Sequence, residues 1–268
     1  MSGYAGERLR LGACRQLFEH SAIGASNWLG NRRHDAAAAM MPRLTIPHYF
    51  DFGEDRSEVG DELSSAQGWD ALRLRTAGPF GMATDAAAWA ETAQAHPELQ
   101  SRAAAVADRV RALGGTSLAS YGVGGASLEY WLMRDATDLS MTVTEYAPET
   151  YRVLSSYLPG VNVVQHDLLA DDPLDAGLHL FHRIDTEFTN PQFKQLMSKF
   201  ASVTVIVVAT RLLTWRDLRH ELRQRRNPNA TGAGVYRTRA AFEALWKPTH
   251  LAERASFADL DGWVLRPR

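Results

Sequence analysis

A glycine-rich turn between an apolar strand and a helix is the feature that most constrains the fold of this chain. Residues 117–121 have the pattern of a short apolar strand and lead into the turn at 122–125. A second strand pattern, residues 141–144, then ends on Glu145. Glycines let a backbone approach a ligand closely, and an acid at a strand end can accept hydrogen bonds from a ribose diol. The sequence therefore predicts a nucleoside-binding half of a doubly wound α/β domain.

From Leu118 onward, apolar runs of strand length alternate with helical segments. This alternation is typical of a mostly parallel sheet covered by helices on both faces. The predicted parallel strands are residues 117–121, 141–144, 161–165, 178–183 and 203–209. Two further segments, 251–257 and 263–265, are predicted to form a closing antiparallel pair. The turn between them is expected at 259–262, because an Asp-Gly step favours a hairpin.

The first 113 residues have a different, mainly helical character. Apolar residues at helical spacing predict a helix that begins at Pro97 and ends before Gly114, and the alanine-rich segment 85–96 predicts a companion helix. Residues 42–82, rich in proline, glycine and aromatic residues, are interpreted as loop-rich covering material. We expect residues 1–97 to form a helical cap or lid that sets substrate specificity and residues 98–268 to form the nucleoside-binding domain.

The composition is that of an ordinary globular protein. With 268 residues, of which 45% are hydrophobic, the chain can bury a large core. The net charge of −2 argues against a nucleic-acid binder and favours a small-molecule substrate. The single Cys14 cannot form an intrachain disulfide, and no apolar run suggests a membrane span, so we expect a cytoplasmic protein. The scattered histidines predict no metal site. A homodimer is left open.

A third strand end strengthens the prediction of a nucleoside site. Asp167 follows the strand pattern at 161–165, where its carboxylate can accept a hydrogen bond from the exocyclic amine of adenine. The glycine turn, Glu145 and Asp167 thus follow three successive strands. The carboxyl ends of parallel strands meet at one edge of the sheet, which is where open α/β sheets bind ligands.

Because of the glycine turn, Glu145 and Asp167, the segment 98–268 resembles the class I S-adenosylmethionine-dependent methyltransferase family. The resemblance implies a Rossmann-like sheet of seven strands, mostly parallel with an antiparallel closing strand, and S-adenosylmethionine as cosubstrate. It also implies that Glu145 binds the ribose hydroxyls, that Tyr146 lies against the adenine and that Asp167 contacts the adenine amine. The cofactor-binding residues implied are Ser120, Tyr121, Gly122, Gly124, Glu145, Tyr146, Asp167 and Leu168.

The sequence departs from the family's glycine motif at two positions. Ala126 replaces the third glycine, a mild change, and Ser120 replaces an acid that in the family helps to hold the ammonium of the methionine moiety. A hydroxyl can hydrogen-bond that amine without stabilising its protonated form. One interpretation is that a neighbouring group or water compensates. The other is that the freed amine acts as a nucleophile, as in fold members that cyclise S-adenosylmethionine to azetidine-2-carboxylate and release methylthioadenosine.

The reacting end of the site is expected beyond the strand at 178–183. His182 stands at that strand end, where it can take a proton from an acceptor, and Asp185 or Glu187 can orient this base or the substrate. Methyl transfer can also proceed by alignment alone, without a base. Aromatic residues of the N-terminal region are candidates for a lid: Tyr49, Phe50, Phe52 and Trp69.

The sequence alone leaves three functions open. The leading hypothesis is methyl transfer by in-line displacement to an O, N or C nucleophile of a small, secondary-metabolite substrate. The second is the S-adenosylmethionine-consuming cyclase, and the third is a binding protein that keeps the nucleoside pocket without chemistry. A dinucleotide-binding Rossmann domain is the main structural competitor, but Ser127 stands where its motif requires the third glycine.

Overall fold

A computed structural model describes residues 42–51, 65–75, 81–158 and 160–268. Cys14 and Phe52, named above, lie outside the described residues. The helices are α1 (Ala66–Arg75), α2 (Ala86–Gln94), α3 (Pro97–Ala112), α4 (Ser127–Asp135), α5 (Pro148–Tyr157), α6 (Asn190–Lys199), α7 (Trp215–Gln224) and α8 (Arg239–Trp246). The strands are β1 (Thr45–Asp51), β2 (Ser117–Tyr121), β3 (Ser140–Glu145), β4 (Asn162–Gln165), β5 (Leu178–His182), β6 (Val205–Val208), β7 (Ala230–Arg237), β8 (His250–Phe257) and β9 (Leu260–Pro267).

The main sheet has seven strands in the order β4-β3-β2-β5-β6-β9-β8. The strands from β4 to β6 pair in parallel, whereas β9 is antiparallel to both of its neighbours, β6 and β8. The order reverses between β2 and β5, because β3 and β4 lie on one side of β2 and the later strands lie on the other. The predicted fold class, a mostly parallel doubly wound sheet closed by an antiparallel strand, is confirmed.

The central strands are apolar along their whole length because helices bury both faces of the sheet. Along β6, Val205 and Val207 face the cluster that contains α6 and α8, whereas Ile206 and Val208 face the cluster that contains α3 and α4. All four side chains are buried. A strand covered on both faces shows this continuous run instead of polar alternation.

The two helices directly before the sheet, α2 and α3, form where the sequence predicts them. Asp85 precedes α2, and its carboxylate accepts hydrogen bonds from the backbone N–H groups of Ala87 and Ala88 at 2.9 Å. Pro97 opens α3, where a missing backbone N–H costs nothing. Gly114, with φ of 69°, follows its last turn. A side-chain cap, a proline at the first helical position and a glycine after the last turn are local signals, so both helices could be predicted from the sequence.

The prediction of loop-rich material at 42–82 was wrong for two segments. Residues 45–51 form β1, which pairs antiparallel with β7 in a separate two-stranded sheet, and residues 66–75 form α1. β1 has a register shift between Pro47 and Tyr49. Pro47 cannot donate a backbone hydrogen bond, so it obscures the strand pattern. The partner strand begins only at Ala230, far along the chain from β1. No local sequence window contains both strands.

The closing hairpin is confirmed, but its turn lies earlier than predicted. Phe257 pairs with Leu260, so the turn consists of Ala258 and Asp259, and Ala258 has φ of 57°. Gly262 lies within β9, where a Cβ atom would stand 2.5 Å from the Val207 carbonyl oxygen and 2.6 Å from the Phe257 ring. The Asp-Gly step therefore reflects the close packing of a glycine between strands and not a turn.

Replacing Gly262 by alanine should destabilise the hairpin, because neither the Val207 backbone nor the buried Phe257 ring can yield easily. We expect the free energy of unfolding to fall by about 1 to 3 kcal/mol, the usual cost of overpacking. Chemical denaturation measures it. The neighbouring Asp261→Ala, which removes only an exposed ion pair to Arg239 at 3.2 Å, should cost less than about 1 kcal/mol. Equal effects of the two changes would contradict the packing role of Gly262.

Candidate functional site

A cavity of about 880 Å³ opens at the carboxyl ends of β2, β3 and β5. Its walls come from the glycine turn, the ends of these strands, α1, and the two-stranded sheet of β1 and β7. The position at the reversal of strand order is the one at which open α/β sheets bind ligands. Six predicted residues line this cavity because they lie at or just after the ends of strands of the same sheet: Tyr121, Gly122, Glu145, Tyr146, Asp167 and His182. The other predicted residues do not line it: Ser120, Gly124, Leu168 and Asp185.

Glu145 fixes the geometry of the cavity at the glycine turn. Its Oε2 accepts a hydrogen bond from the Gly124 N–H at 2.8 Å, and its Oε1 accepts from the N–H groups of Tyr146 and Ala147 at 2.9 and 3.2 Å. The side chain is buried and lines the cavity. A carboxylate has about four acceptor positions, so these three bonds leave one on Oε2 for a ligand hydroxyl. Glu145 thus holds the turn while it presents an oxygen to the cavity.

The glycine turn adopts backbone conformations that other residues rarely take. Gly122 and Gly124 have φ values of 64° and 55°. A Cβ on Gly124 would collide with the guanidinium of Arg73, at 2.1 Å from its Cζ atom. Ala126, at the third motif position, has φ of 53° and packs its methyl group into a buried cluster with Trp89. The turn therefore needs glycine at two positions and tolerates a strained alanine at the third.

Ser120 contacts a carboxyl group that another element supplies. Ser120 Oγ donates a hydrogen bond of 2.7 Å to Oε1 of Glu129, in the first turn of α4. Glu129 is buried in the cavity wall, and burial raises its pKa to about 7 although the bond from Ser120 lowers it. Sequence reasoning missed Glu129. The signal was an acid at the start of the helix that follows the glycine turn.

Other predicted cofactor residues lie around the cavity in different ways. Asp167 lines it, and its Oδ1 accepts hydrogen bonds from the N–H groups of Leu169 and Ala170. Tyr146 lines it with 41% of its surface exposed. Leu168 packs its side chain into the hydrophobic core, and it is Leu169 that lines the cavity. The Tyr121 ring is also in the core, with its hydroxyl 3.1 Å from His179 Nδ1, so Tyr121 can offer the cavity only its backbone.

The predicted catalytic pair is divided between the cavity wall and the interior. His182 lines the cavity, whereas Asp185 is buried and its Oδ1 accepts hydrogen bonds from the backbone and hydroxyl of Thr210, both at 2.7 Å. Burial lowers the pKa of His182 well below its usual value, and the charges of Arg183 and Arg102 lower it further. A histidine beside two cations stays neutral and is a poor proton acceptor.

Helix α1 forms a cover over the glycine turn. Trp69 donates a hydrogen bond from Nε1 to Oε2 of Glu187 at 3.1 Å, and the Arg73 guanidinium lies 5.1 Å from the Trp69 ring centroid. Burial raises the pKa of Glu187 to about 8, against the lowering effect of Arg73. Asp70 anchors the helix to the start of α5 by accepting bonds from the N–H and the hydroxyl of Thr150 at 2.8 and 2.7 Å.

A second histidine and a carboxylate meet at the opposite wall. His48 Nδ1 lies 3.0 Å from Oε1 of Glu221, whose Oε2 accepts the Tyr49 N–H at 3.0 Å. Both partners are buried, the His48 ring stacks on Tyr236 at 3.9 Å, and His48 lines the cavity. Sequence reasoning missed this pair because β1 and α7 bring together residues that are 173 positions apart.

The comparisons with solved structures agree on one fold. Human N-acetylserotonin methyltransferase in complex with SAM superposes with a TM-score of 0.50 at 17% identity, over 68% of this chain and 56% of that one. The mitomycin 7-O-methyltransferase MmcR gives 0.51 at 16% identity, over 67% and 56%. PigF with SAH gives 0.51 at 14% identity, over 62% and 54%.

The chain has the class I S-adenosylmethionine-dependent methyltransferase fold. The matched part spans little more than half of each of these proteins. A scan against protein families finds no match, and a search of curated proteins finds no relative. The methyltransferase fold is thus shown by structure, at identities too low to show more than the fold.

Two further findings concern metals and membranes. Among residues 42–51, 65–75, 81–158 and 160–268, no group of three or more histidine, cysteine or acidic side chains could hold a metal ion. None of the helices in the described part of the chain is long and apolar enough to cross a membrane.

The anchoring of the cover can be tested by removing Asp70. Asp70→Ala should lower the free energy of unfolding by about 1 kcal/mol, because Asp70 acts as a cap for α5. It should also speed amide hydrogen exchange within residues 66–75, measured by mass spectrometry. Asp85→Ala removes a comparable cap from α2 and should cost a similar stability without changing exchange in α1. Unchanged exchange in Asp70→Ala would show that α1 is held by other contacts.

Proposed function

We propose that the protein transfers a methyl group from S-adenosylmethionine to an oxygen, nitrogen or carbon nucleophile of a small metabolite. The observation that carries this proposal is the placement of Glu145 beside the glycine turn, at the carboxyl edge of a sheet with the methyltransferase fold. Two structural neighbours are named for small acceptors, N-acetylserotonin and mitomycin, and two were solved with SAM or SAH bound.

The residues of the cavity fit such a cofactor. Glu145 Oε2 has an acceptor position for a ribose hydroxyl, and Asp167 and Tyr146 lie in the wall as partners for the adenine. Glu129 provides a carboxyl group for the ammonium of the methionine moiety, in place of the acid that Ser120 lacks. When bound, the cofactor supplies the activated methyl group, and these side chains serve to hold and orient it.

We further propose that His48 takes the proton of the acceptor. Glu221 accepts the hydrogen bond of Nδ1–H, which assigns the tautomer in which Nε2 is the basic nitrogen. His182 lacks such a partner among the described residues and faces two arginines. A direct chemical role for His182 and Asp185 remains a prediction.

The region before residue 98 is proposed to set specificity. α1 and β1 both contribute residues to the cavity wall, and Trp69 and Tyr49, two of the predicted aromatic lid residues, are among them. The acceptor would then meet side chains from this region on one side and the carboxyl edge of the main sheet on the other.

The role of Glu129 can be tested with ligands that differ only in the amino-acid part. Glu129→Gln should weaken S-adenosylhomocysteine binding about 10- to 100-fold, as expected for the loss of a buried charge-assisted bond. Binding of methylthioadenosine, which has no ammonium, should change little. Isothermal titration calorimetry measures both. Equal losses for the two ligands, or none, would remove Glu129 from the proposed site.

The pH dependence provides a second readout of Glu129. A carboxyl with a pKa of about 7 must ionise to bind an ammonium, so S-adenosylhomocysteine affinity should rise between about pH 5.5 and pH 7.5. The affinity for methylthioadenosine, and the affinity of Glu129→Gln for S-adenosylhomocysteine, should not change over this pH range. The raised pKa also makes the free energy of unfolding of the unliganded protein fall as pH rises from 4.5 to about 7. Glu129→Gln should show a smaller fall, because Glu187, whose pKa burial raises to about 8, still contributes to it. A cooperative unfolding transition in the same experiment shows that the variant folds.

The role of His48 can be tested by the split between binding and turnover. His48→Gln should leave S-adenosylhomocysteine affinity unchanged and lower methyl transfer to an acceptor in a metabolite extract by about 100-fold or more. Glu221→Gln should lower the rate less, because the histidine remains. An unchanged rate in His48→Gln would mean that alignment alone suffices or that the base lies elsewhere.

The cyclase and the binding protein are distinguished from the methyltransferase by one incubation. Purified protein with S-adenosylmethionine alone should yield no methylthioadenosine at an enzymatic rate, and S-adenosylhomocysteine should form only after metabolite extract is added. Mass spectrometry detects both products. Methylthioadenosine formed without an acceptor would support the cyclase instead, and binding without either product would leave a non-catalytic protein.

A further inference from the structure

Arg183 is a largely buried cation of the cavity wall that no described side chain balances. It follows β5 and lines the cavity next to His182. Its Nε atom is fully buried without a hydrogen-bond partner, and its guanidinium makes no hydrogen bond or ion pair with any residue of the described ranges. Buried guanidinium groups are normally paired, because leaving such a charge without an acceptor is costly.

Two arginines close to Arg183 already have acceptors. Arg102 makes a two-point contact with Asp259, at 2.7 Å from Nε and 2.6 Å from Nη2. Arg237 donates to the carbonyl groups of Asp185 and Phe188 and to Asn190, and the Asp185 charge acts on it favourably. The Arg183 guanidinium has no such acceptor among the described residues, so a ligand group can take that place.

The backbone at Arg183 also supports a binding role. Its φ is 60°, a left-handed conformation that costs a non-glycine residue about 1 to 2 kcal/mol. The conformation is held by the hydrogen bond that the Arg183 N–H donates to the Val208 carbonyl at 2.9 Å. Strain retained in this way is common where a side chain must be directed at a ligand.

Burial, followed by the like charge of Arg102, lowers the pKa of Arg183, which means that the free protein stabilises the cation poorly. The groups that act on it favourably are Tyr236, Asp185 and Asp259. Asp259 is committed to Arg102, and burial raises the pKa of Asp185. An anion against the guanidinium would stabilise the charge more than these groups do.

We propose that Arg183 is the carboxylate-binding residue of this cavity and that it pairs with a singly charged carboxylate of the bound ligand. A planar guanidinium matches the two oxygens of a carboxylate. The proposal rests on the proposed function, since it takes the same cavity as the ligand site. Two groups carry this chemistry: the amino-acid carboxylate of the cofactor and a carboxylate on the acceptor.

The two sources can be separated with Arg183→Gln, Arg183→Lys and the control Arg216→Gln, which changes an exposed arginine of α7. Calorimetry gives the affinities of each protein for S-adenosylhomocysteine, which has the carboxylate, and for methylthioadenosine, which lacks it. Thermal shifts then measure protection by benzoate, with benzamide as the uncharged match, in the free and the S-adenosylhomocysteine-saturated protein. Arg183→Lys keeps the positive charge and provides a second variant in case Arg183→Gln does not fold.

If the carboxylate is the cofactor's, Arg183→Gln should weaken S-adenosylhomocysteine about 10- to 100-fold and leave methylthioadenosine unchanged. If the carboxylate belongs to the acceptor, Arg183→Gln should bind S-adenosylhomocysteine and methylthioadenosine as tightly as the parent does. It should then lose the benzoate protection that the parent shows. Arg183→Lys should retain part of either effect. The proposal would be overturned if Arg183→Gln bound both nucleosides as tightly as the parent and, in addition, benzoate gave no protection of the parent or the same protection of parent and variant. If the parent binds neither nucleoside, the proposed function fails, and benzoate protection of the free protein alone decides the role of Arg183.

Discussion

The carboxylate of Glu145 is the contact on which the candidate site depends. Its hydrogen bonds join the end of β3 to the glycine turn after β2 and to the residues that lead into α5. They fix the turn in conformations that only glycine takes readily at positions 122 and 124. The same side chain keeps an acceptor position toward the cavity. A residue that the fold needs for its own geometry is therefore also the residue best placed to bind a ribose.

The cavity differs from an ordinary core in the number of charges that it buries. Glu129, Glu187, His182 and Arg183 all have pKa values displaced chiefly by burial. Groups of this kind destabilise a fold unless a ligand or a partner compensates them, and they are typical of functional sites. The arrangement suits a zwitterionic ligand. Glu129 and Arg183 both line the cavity, so an ammonium and a carboxylate of one ligand could each meet an opposite charge there.

Local patterns in the sequence predicted the main sheet, helices α2 and α3, and several of the residues that line the cavity beside the glycine turn. Glu145 could be placed because a strand end is a local feature and parallel strands share one edge. Glu129 and the pair of His48 with Glu221 could not, since their roles arise from contacts between elements. The strand β1 was missed for the same reason. The interpretation of Ser120 changed most. A single substitution suggested a loosened amine, whereas the fold places a carboxyl group 2.7 Å from that hydroxyl.

The most direct test is a crystal structure of the protein with S-adenosylhomocysteine. We expect ribose hydroxyls within hydrogen-bond distance of Glu145, about 2.5 to 3.0 Å between oxygens, and the ligand ammonium against Glu129. The ligand should lie between the glycine turn and α1. A nucleoside bound away from Glu145, or an ammonium held by another acid while Glu129 stays bonded only to Ser120, would contradict the central claim.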